Sequence, residues 1–135
     1  MTQANASPTA PYFYFATAES LTADPPQDVA LSNLSNVAHL WVLEIDNTLN
    51  AVPVYVKFWD MGSAVVTVGS TPPTMQFTAP PSTKQTYSFA GPGPALSTDP
   101  ALNEFSWACD IMAGTTDGGS PVAAVAVRML FQQVP

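Results

Sequence analysis

The sequence predicts an all-β protein: an antiparallel β-sandwich of the jelly-roll or immunoglobulin-like kind, with about eight strands and minimal helix. Three observations lead there. Apolar residues alternate with period two in several blocks, the best being Phe105, Trp107, Cys109 and Ile111 against Ser106, Ala108 and Asp110. The 14 prolines cut the chain into short pieces, and no proline-free stretch repeats apolar residues at helical spacing over several turns. Without helices to carry crossovers, neighbouring strands are expected to run antiparallel.

Residues 1–11 read as a polar N-terminal arm and residues 12–135 as a single sandwich domain. The first strand, 12–17, contains Tyr12-Phe13-Tyr14-Phe15, aromatic in both phases, which calls for cover on both faces. A second strand is expected at 29–32. The third, 39–46, has His39, Trp41, Leu43 and Ile45 in one phase; in the fourth, 54–59, Val54, Val56 and Phe58 share a face opposite Tyr55, Lys57 and Trp59. Turn residues Asn47, Thr48, Leu49 and Asn50 between them predict a hairpin. Strands at 74–79, 84–90, 105–111 and 121–131 complete the set, the last with Val125, Val127, Met129 and Phe131 in phase. Pro25-Pro26, Pro72-Pro73 and Pro80-Pro81 mark corners, since proline has no N–H for a sheet ladder. At 98–104, a cap residue, Pro100 at the first helical position and an acid in the first turn predict one helical turn. The predicted core is Val54, Val56, Phe58, Phe105, Trp107, Cys109 and Ile111.

Composition restricts the function classes. At 135 residues the chain suits one domain, and 47% apolar content excludes charge-driven disorder. Charged residues make up 10%, against roughly 25% in an ordinary soluble domain, so Ser and Thr must cover much of the surface. A neutral surface of that kind can be buried against a partner without dehydrating many ions, which favours a component of an assembly. Ten acids against three bases, net charge −7, repel phosphate backbones, so no nucleic-acid partner is expected. The longest apolar run, 122–127, ends at Arg128 and falls well short of the ~20 residues of a bilayer span, so no membrane partner is expected either. The first eleven residues lack the basic start and apolar stretch of a secretory signal and read as the start of a mature product. Cys109, alone, precludes an internal disulfide and fits a reducing compartment.

Catalytic constellations are hard to assemble. His39 is the only imidazole for a Ser-His-Asp or Cys-His arrangement and reads as a structural residue in a strand. One His and one Cys cannot make a zinc ligand set. The acids of 110–117, or Asp99 with Glu104, lack the twelve-residue calcium-loop pattern and read as solvated turn acids. Among ten acids some chance pair is guaranteed, so carboxylate pairing carries no specificity for glycoside cleavage. Phosphate-binding glycine motifs are missing from the sequence. No catalytic residue, cofactor or metal is therefore expected, and the chain reads as a non-enzyme. The aromatic residues are the positive signal: Trp41, Trp59, Trp107 and the 12–15 run can pack a core, anchor an interface or line a sugar-binding face. Tyr12, Phe13, Tyr14, Phe15 and Trp59 are the interface candidates.

The segment PVYVKFWD at 53–60, followed by TVGSTPP at 67–73, resembles small β-proteins encoded in tailed-bacteriophage genomes. In those, a strand of the type PVYVKLYD is followed by a short Ala-containing linker and a TVGT-x-x-P turn; here Phe58-Trp59 stands in place of Leu-Tyr. The segment 89–98 and FSWACDIMAGTTDGGSPVAAVAVRMLF at 105–131 are similar to the closing part of that group. The resemblance spans roughly 37–131 and leaves out the block up to Asp28 and the segment 99–104. It implies a non-enzymatic virion structural protein, specifically a capsid decoration or cement protein that stabilises the shell. Implied with it are a position on the outer capsid surface, assembly in the host bacterial cytoplasm, homo-oligomerisation, and the major capsid protein or another virion protein as partner. The alternative expectation is a carbohydrate-binding module on a tail or fibre, with Trp41 and Trp59 as an exposed sugar platform.

Overall fold

A computed structural model describes residues 11–18, 26–31, 37–90, 93–98 and 104–134. Of the expected arm at 1–11, residues 1–10 lie outside the described residues and Pro11 opens β1; of the expected helical turn at 98–104, residues 99–103 lie outside them and Glu104 opens β8. Among those described there are nine strands: β1 Pro11–Ala18, β2 Gln27–Ala30, β3 Val37–Asp46, β4 Val54–Trp59, β5 Met75–Ala79, β6 Lys84–Ser88, β7 Ala95–Ser97, β8 Glu104–Asp110 and β9 Val125–Val134. The helical content of the described residues is one 3₁₀ turn, Ser63–Val65.

The strands form two antiparallel sheets, one ordered β1-β9-β3-β6 with β7 also on β3, the other ordered β2-β8-β4-β5. Their pairings are nested. β4 pairs with β5, β3 with β6 and β7, β2 with β8, and β1 with β9. The chain is thus one long antiparallel ribbon folded at its middle and wound up, with β3·β9 and β8·β4 stitching successive turns together. This is the jelly-roll form of the expected sandwich, not the immunoglobulin-like form.

The expected hairpin between the third and fourth strands does not exist, because β3 and β4 belong to different sheets. Leu43 and Ile45 of β3 and Val54, Val56 and Phe58 of β4 are all fully buried in one core cluster. Two strands whose apolar faces must meet across a core cannot lie side by side in one sheet. The connection is held as a corner by Asn47, whose amide nitrogen donates to the carbonyl oxygens of Val52 (2.9 Å) and Pro80 (3.0 Å), while its backbone N–H donates to Thr83 O at 2.9 Å.

β3 also departs from simple alternation. Ala38 and Leu40 are buried, then Leu43 and Ile45, so the inward phase shifts by one residue between them. The pairing with β9 shows the cause: Leu40 opposes Phe131 and Val42 opposes Leu130, leaving Trp41 as the extra residue of a β-bulge. His39 and Trp41 therefore do not share the face of Leu43 and Ile45, contrary to the expected phase. Elsewhere alternation holds. Val54, Val56, Phe58, Phe105, Trp107 and Cys109 are in the core, whereas Ile111, expected with them, is half-buried at its edge. Phe105 spans the two sheets, meeting Phe58 at 6.2 Å and Phe131 edge-on at 5.7 Å between ring centroids.

Candidate functional site

The two outer faces of the sandwich differ. On the second sheet the outward positions Lys57, Trp59, Ser106, Ala108 and Asp110 are all buried, because two connections fold back over them. The 61–71 connection covers Trp59, which is 1% exposed and packs with Val66, Val68, Ala108 and Met61. Its indole N–H donates to Thr71 O at 3.0 Å. The turn beneath is tied internally: Ser70 and Thr71 donate their backbone N–H groups to Thr67 O, Thr67 N–H donates to Thr71 Oγ1, and Gly69 takes φ +98°, which a side chain disfavours. Asp60 closes the motif by accepting from Ser97 N at 3.0 Å. PVYVKFWD and TVGSTPP are therefore one packing unit, a core strand and the turn that roofs it. Trp59 is its central pillar, which corrects the expectation that it presents an interface surface.

Further along the same face, Lys57 and Asp110 are sealed under the 111–119 loop with side chains 1% and 0% exposed and Nζ 3.7 Å from Oδ2. Lys57 Nζ donates to Thr116 O at 2.8 Å, and Asp110 Oδ1 accepts from Met112 N (2.8 Å) and Gly118 N (2.9 Å). Burial pushes the Lys57 ammonium down from its ordinary range, against the pull of Asp110 and Asp117. Burial likewise pushes the Asp110 carboxyl up, against the amides of Gly118 and Met112 and the charge of Lys57, with Asp117 adding to the rise. Asp110 is thus not the solvated turn acid that composition suggests; the one signal in the sequence is a lysine inside a strand with apolar neighbours in both directions. Cys109 next to it is buried, with its thiol pushed up to about 12, foremost by burial, and so is not a nucleophile at neutral pH. His39 contacts Gly93 O through Nδ1 at 3.2 Å. Among the described residues no three His, Cys, Asp or Glu side chains gather as a metal site, and no helix is long and apolar enough to cross a membrane.

The outer face of the first sheet is less closed. Val37, His39, Trp41, Val42, Glu44 and Leu130 are half-buried rather than buried, and Glu44 pairs with exposed Arg128 at 3.8 Å. The interface candidates Tyr12, Phe13, Tyr14 and Phe15 are all in β1, the outermost strand of this sheet, whose described partner is β9. Register sets Tyr12 and Tyr14 across from the core residues Phe131 and Met129, and Phe13 and Phe15 across from Leu130 and Arg128. The run is thus brought together with Leu130 and, through β9, with Trp41 and Val42. Trp41 and Trp59 sit in different sheets and cannot form one sugar platform.

One end of the sandwich carries exposed apolar residues that the sequence pattern does not single out: Leu49, Val52 and Val122. Their loops are fastened by Asn50, which donates to Ala123 O at 3.0 Å and accepts from Ala123 N at 2.9 Å. No family model, curated protein or solved structure matches the chain.

Proposed function

We propose that the protein is a non-enzymatic structural component of a tailed-bacteriophage virion, a decoration or cement protein that binds the outer surface of the capsid and stabilises the contacts between shell subunits. The reading rests on the resemblance of 37–131 to small phage β-proteins, and one structural observation supports it most: the asymmetry between the two outer faces. One face is roofed by the chain's own loops, and the other is a half-buried sheet, apolar around Trp41, Val42 and Leu130 with the Glu44–Arg128 pair beside them, continuing to an aromatic edge strand. Such a face suits a wide contact of apolar core and polar rim. The partner is then the major capsid protein or a neighbouring virion protein, with further copies of this chain alongside.

The test is particle stoichiometry together with reconstitution. Quantitative mass spectrometry of purified virions is expected to find this chain in proportion to the shell subunits, and purified protein is expected to rebind particles that lack it. A copy number in proportion to tail or fibre components, with no binding to empty shells, overturns the reading.

A further inference from the structure

The most unusual chemistry in the molecule is the sealed amine and carboxyl between β4 and β8, and it stands independently of any role in a virion. Lys57 and Asp110 are on paired strands, with Lys57 opposite Ala108 and Asp110 opposite Tyr55. The carboxyl is oriented by its surroundings. Oδ1 lies in a cradle of two backbone N–H groups, from Met112 and Gly118, while Oδ2 accepts no hydrogen bond among the described residues and stands 3.7 Å from Nζ. Two amide donors on one oxygen, with an amine beside the other, is the arrangement that stabilises the oxyanion of a tetrahedral adduct.

We propose that Lys57 and Asp110 condense into an intramolecular isopeptide bond that joins β4 to β8 covalently. The Nζ lone pair attacks Cγ, forming the C–N bond, and the carbonyl electron pair moves onto Oδ1, where the Met112 and Gly118 amides receive it. A proton passes from Nζ to Oδ2, which stands 3.7 Å away. The C–Oδ2 bond breaks and water departs as the carbonyl reforms. One amine and one carboxylic acid become one amide and one water, with no oxidant or cofactor.

Three features favour the step. Attack requires a neutral amine and a protonated acid, and burial moves both groups in that direction. The fold holds the two in contact, and well-oriented intramolecular partners reach effective molarities of ~10⁵ M or more, which lowers the barrier to the attack. The product also satisfies the site better than the ion pair does. Its carbonyl keeps the Met112 and Gly118 donors, its N–H keeps Thr116 O, and the atom expelled is Oδ2, which has no hydrogen bond among the described residues. A neutral amide further avoids the desolvation cost of a buried ion pair.

The experiment is intact-mass measurement of the full, denatured chain, followed by trypsin. The chain has three basic residues, Lys57, Lys84 and Arg128. With the bond formed, the mass is lower than the sequence mass by one water after allowance for N-terminal methionine, cleavage after Lys57 is blocked, and peptide 1–84 stays joined to 85–128. Lys57→Arg and Asp110→Ala are expected to show the full mass. A wild-type chain of full mass that is cut after Lys57 overturns the proposal. So does loss of one water without joined peptides, the signature of a succinimide at Asp117-Gly118. Because the wild-type measurement decides, variants that fail to fold do not shelter the proposal.

Discussion

Trp59 donates its indole N–H to the backbone carbonyl of Thr71 at 3.0 Å and thereby fastens the 67–71 turn to strand β4. The strand does not need the turn to form its ladder; the turn needs the strand. Replacing Trp59 by Ala removes a fully buried side chain and the floor of the second apolar cluster, and is expected to cost ~3–5 kcal/mol in denaturant unfolding. Trp59→Phe keeps most of the burial and loses the hydrogen bond, for about 1 kcal/mol. Amide exchange in both variants should accelerate first at 61–71, ahead of β4 itself.

Asn47 offers a test of the corner between the sheets. Its amide group donates to Val52 O and Pro80 O from a fully buried position. Asn47→Ala strands those carbonyls, at about 1–3 kcal/mol. Asn47→Asp is nearly the same shape yet should be worse, since it replaces a donor by a negative charge among carbonyl oxygens. Thermal melts that rank Asp above Ala would overturn this account of the corner.

Asp60 predicts an inverted pH response. Burial raises its carboxyl above the ordinary 3.8, against the Ser97 N–H that lowers it. With the folded value above the unfolded one, the native state holds this proton more tightly. The site's contribution to stability is therefore greatest at low pH and falls as pH rises through the folded value. Asp60→Asn keeps an acceptor for Ser97 without the charge, so the variant should melt higher than wild type at neutral pH, with the difference vanishing as pH drops below 3.8. An unchanged difference across that window would contradict the burial cause.

Gly93 is packed for want of a side chain. Its N–H donates to Leu40 O at 3.0 Å, and a Cβ there would collide with that oxygen and with the Phe89 ring. Since Leu40 lies just before the Trp41 bulge, Gly93→Ala should disturb the approach to β7 and cost ~1–3 kcal/mol. Denaturant titration checks it, with a well-formed β4·β8 core retained by near-ultraviolet circular dichroism.

Attachment to a shell, under the proposed function, should resist salt. Three cationic side chains leave little for ionic contacts, and exposed charges are screened at ~1 M, where the Debye length is ~3 Å, while apolar burial persists. Rebinding of purified protein to particles lacking it should be equal at low and high salt, and deletion of residues 1–10 should lower the number of bound copies without unfolding the domain. Release by high salt, or full occupancy by the truncated chain, would contradict it.

The class of fold is legible because alternation at β4, β8 and β9 is local and nearly unbroken. What escapes is non-local. The Trp41 bulge inverts the phase of half of β3, and period-two reading has no means of placing one extra residue. The expected hairpin fails because turn chemistry at 47–50 specifies a reversal but not whether the next strand returns in the same sheet. β7, with three residues, is shorter than any periodicity can register. At the candidate site, the aromatic run of β1 is visible as composition, but the burial of Trp59 and Lys57 depends on loops distant in sequence folding back over the sheet, which no spacing rule encodes.

The nesting of the ribbon has a consequence for how the protein is made. Of the nine described strands β9 is the last to leave the ribosome, yet it pairs with both β1 and β3. Until it emerges, the first sheet lacks the strand that joins β1 to β3, and the edges of both that pair with it are left open. Contacts so distant along the chain also make for slow folding, since the closure entropy comes before the reward. Nascent chains must therefore wait, exposed, until translation has passed Phe131, and any product that stops earlier is left with an open sheet for chaperones and proteases to find.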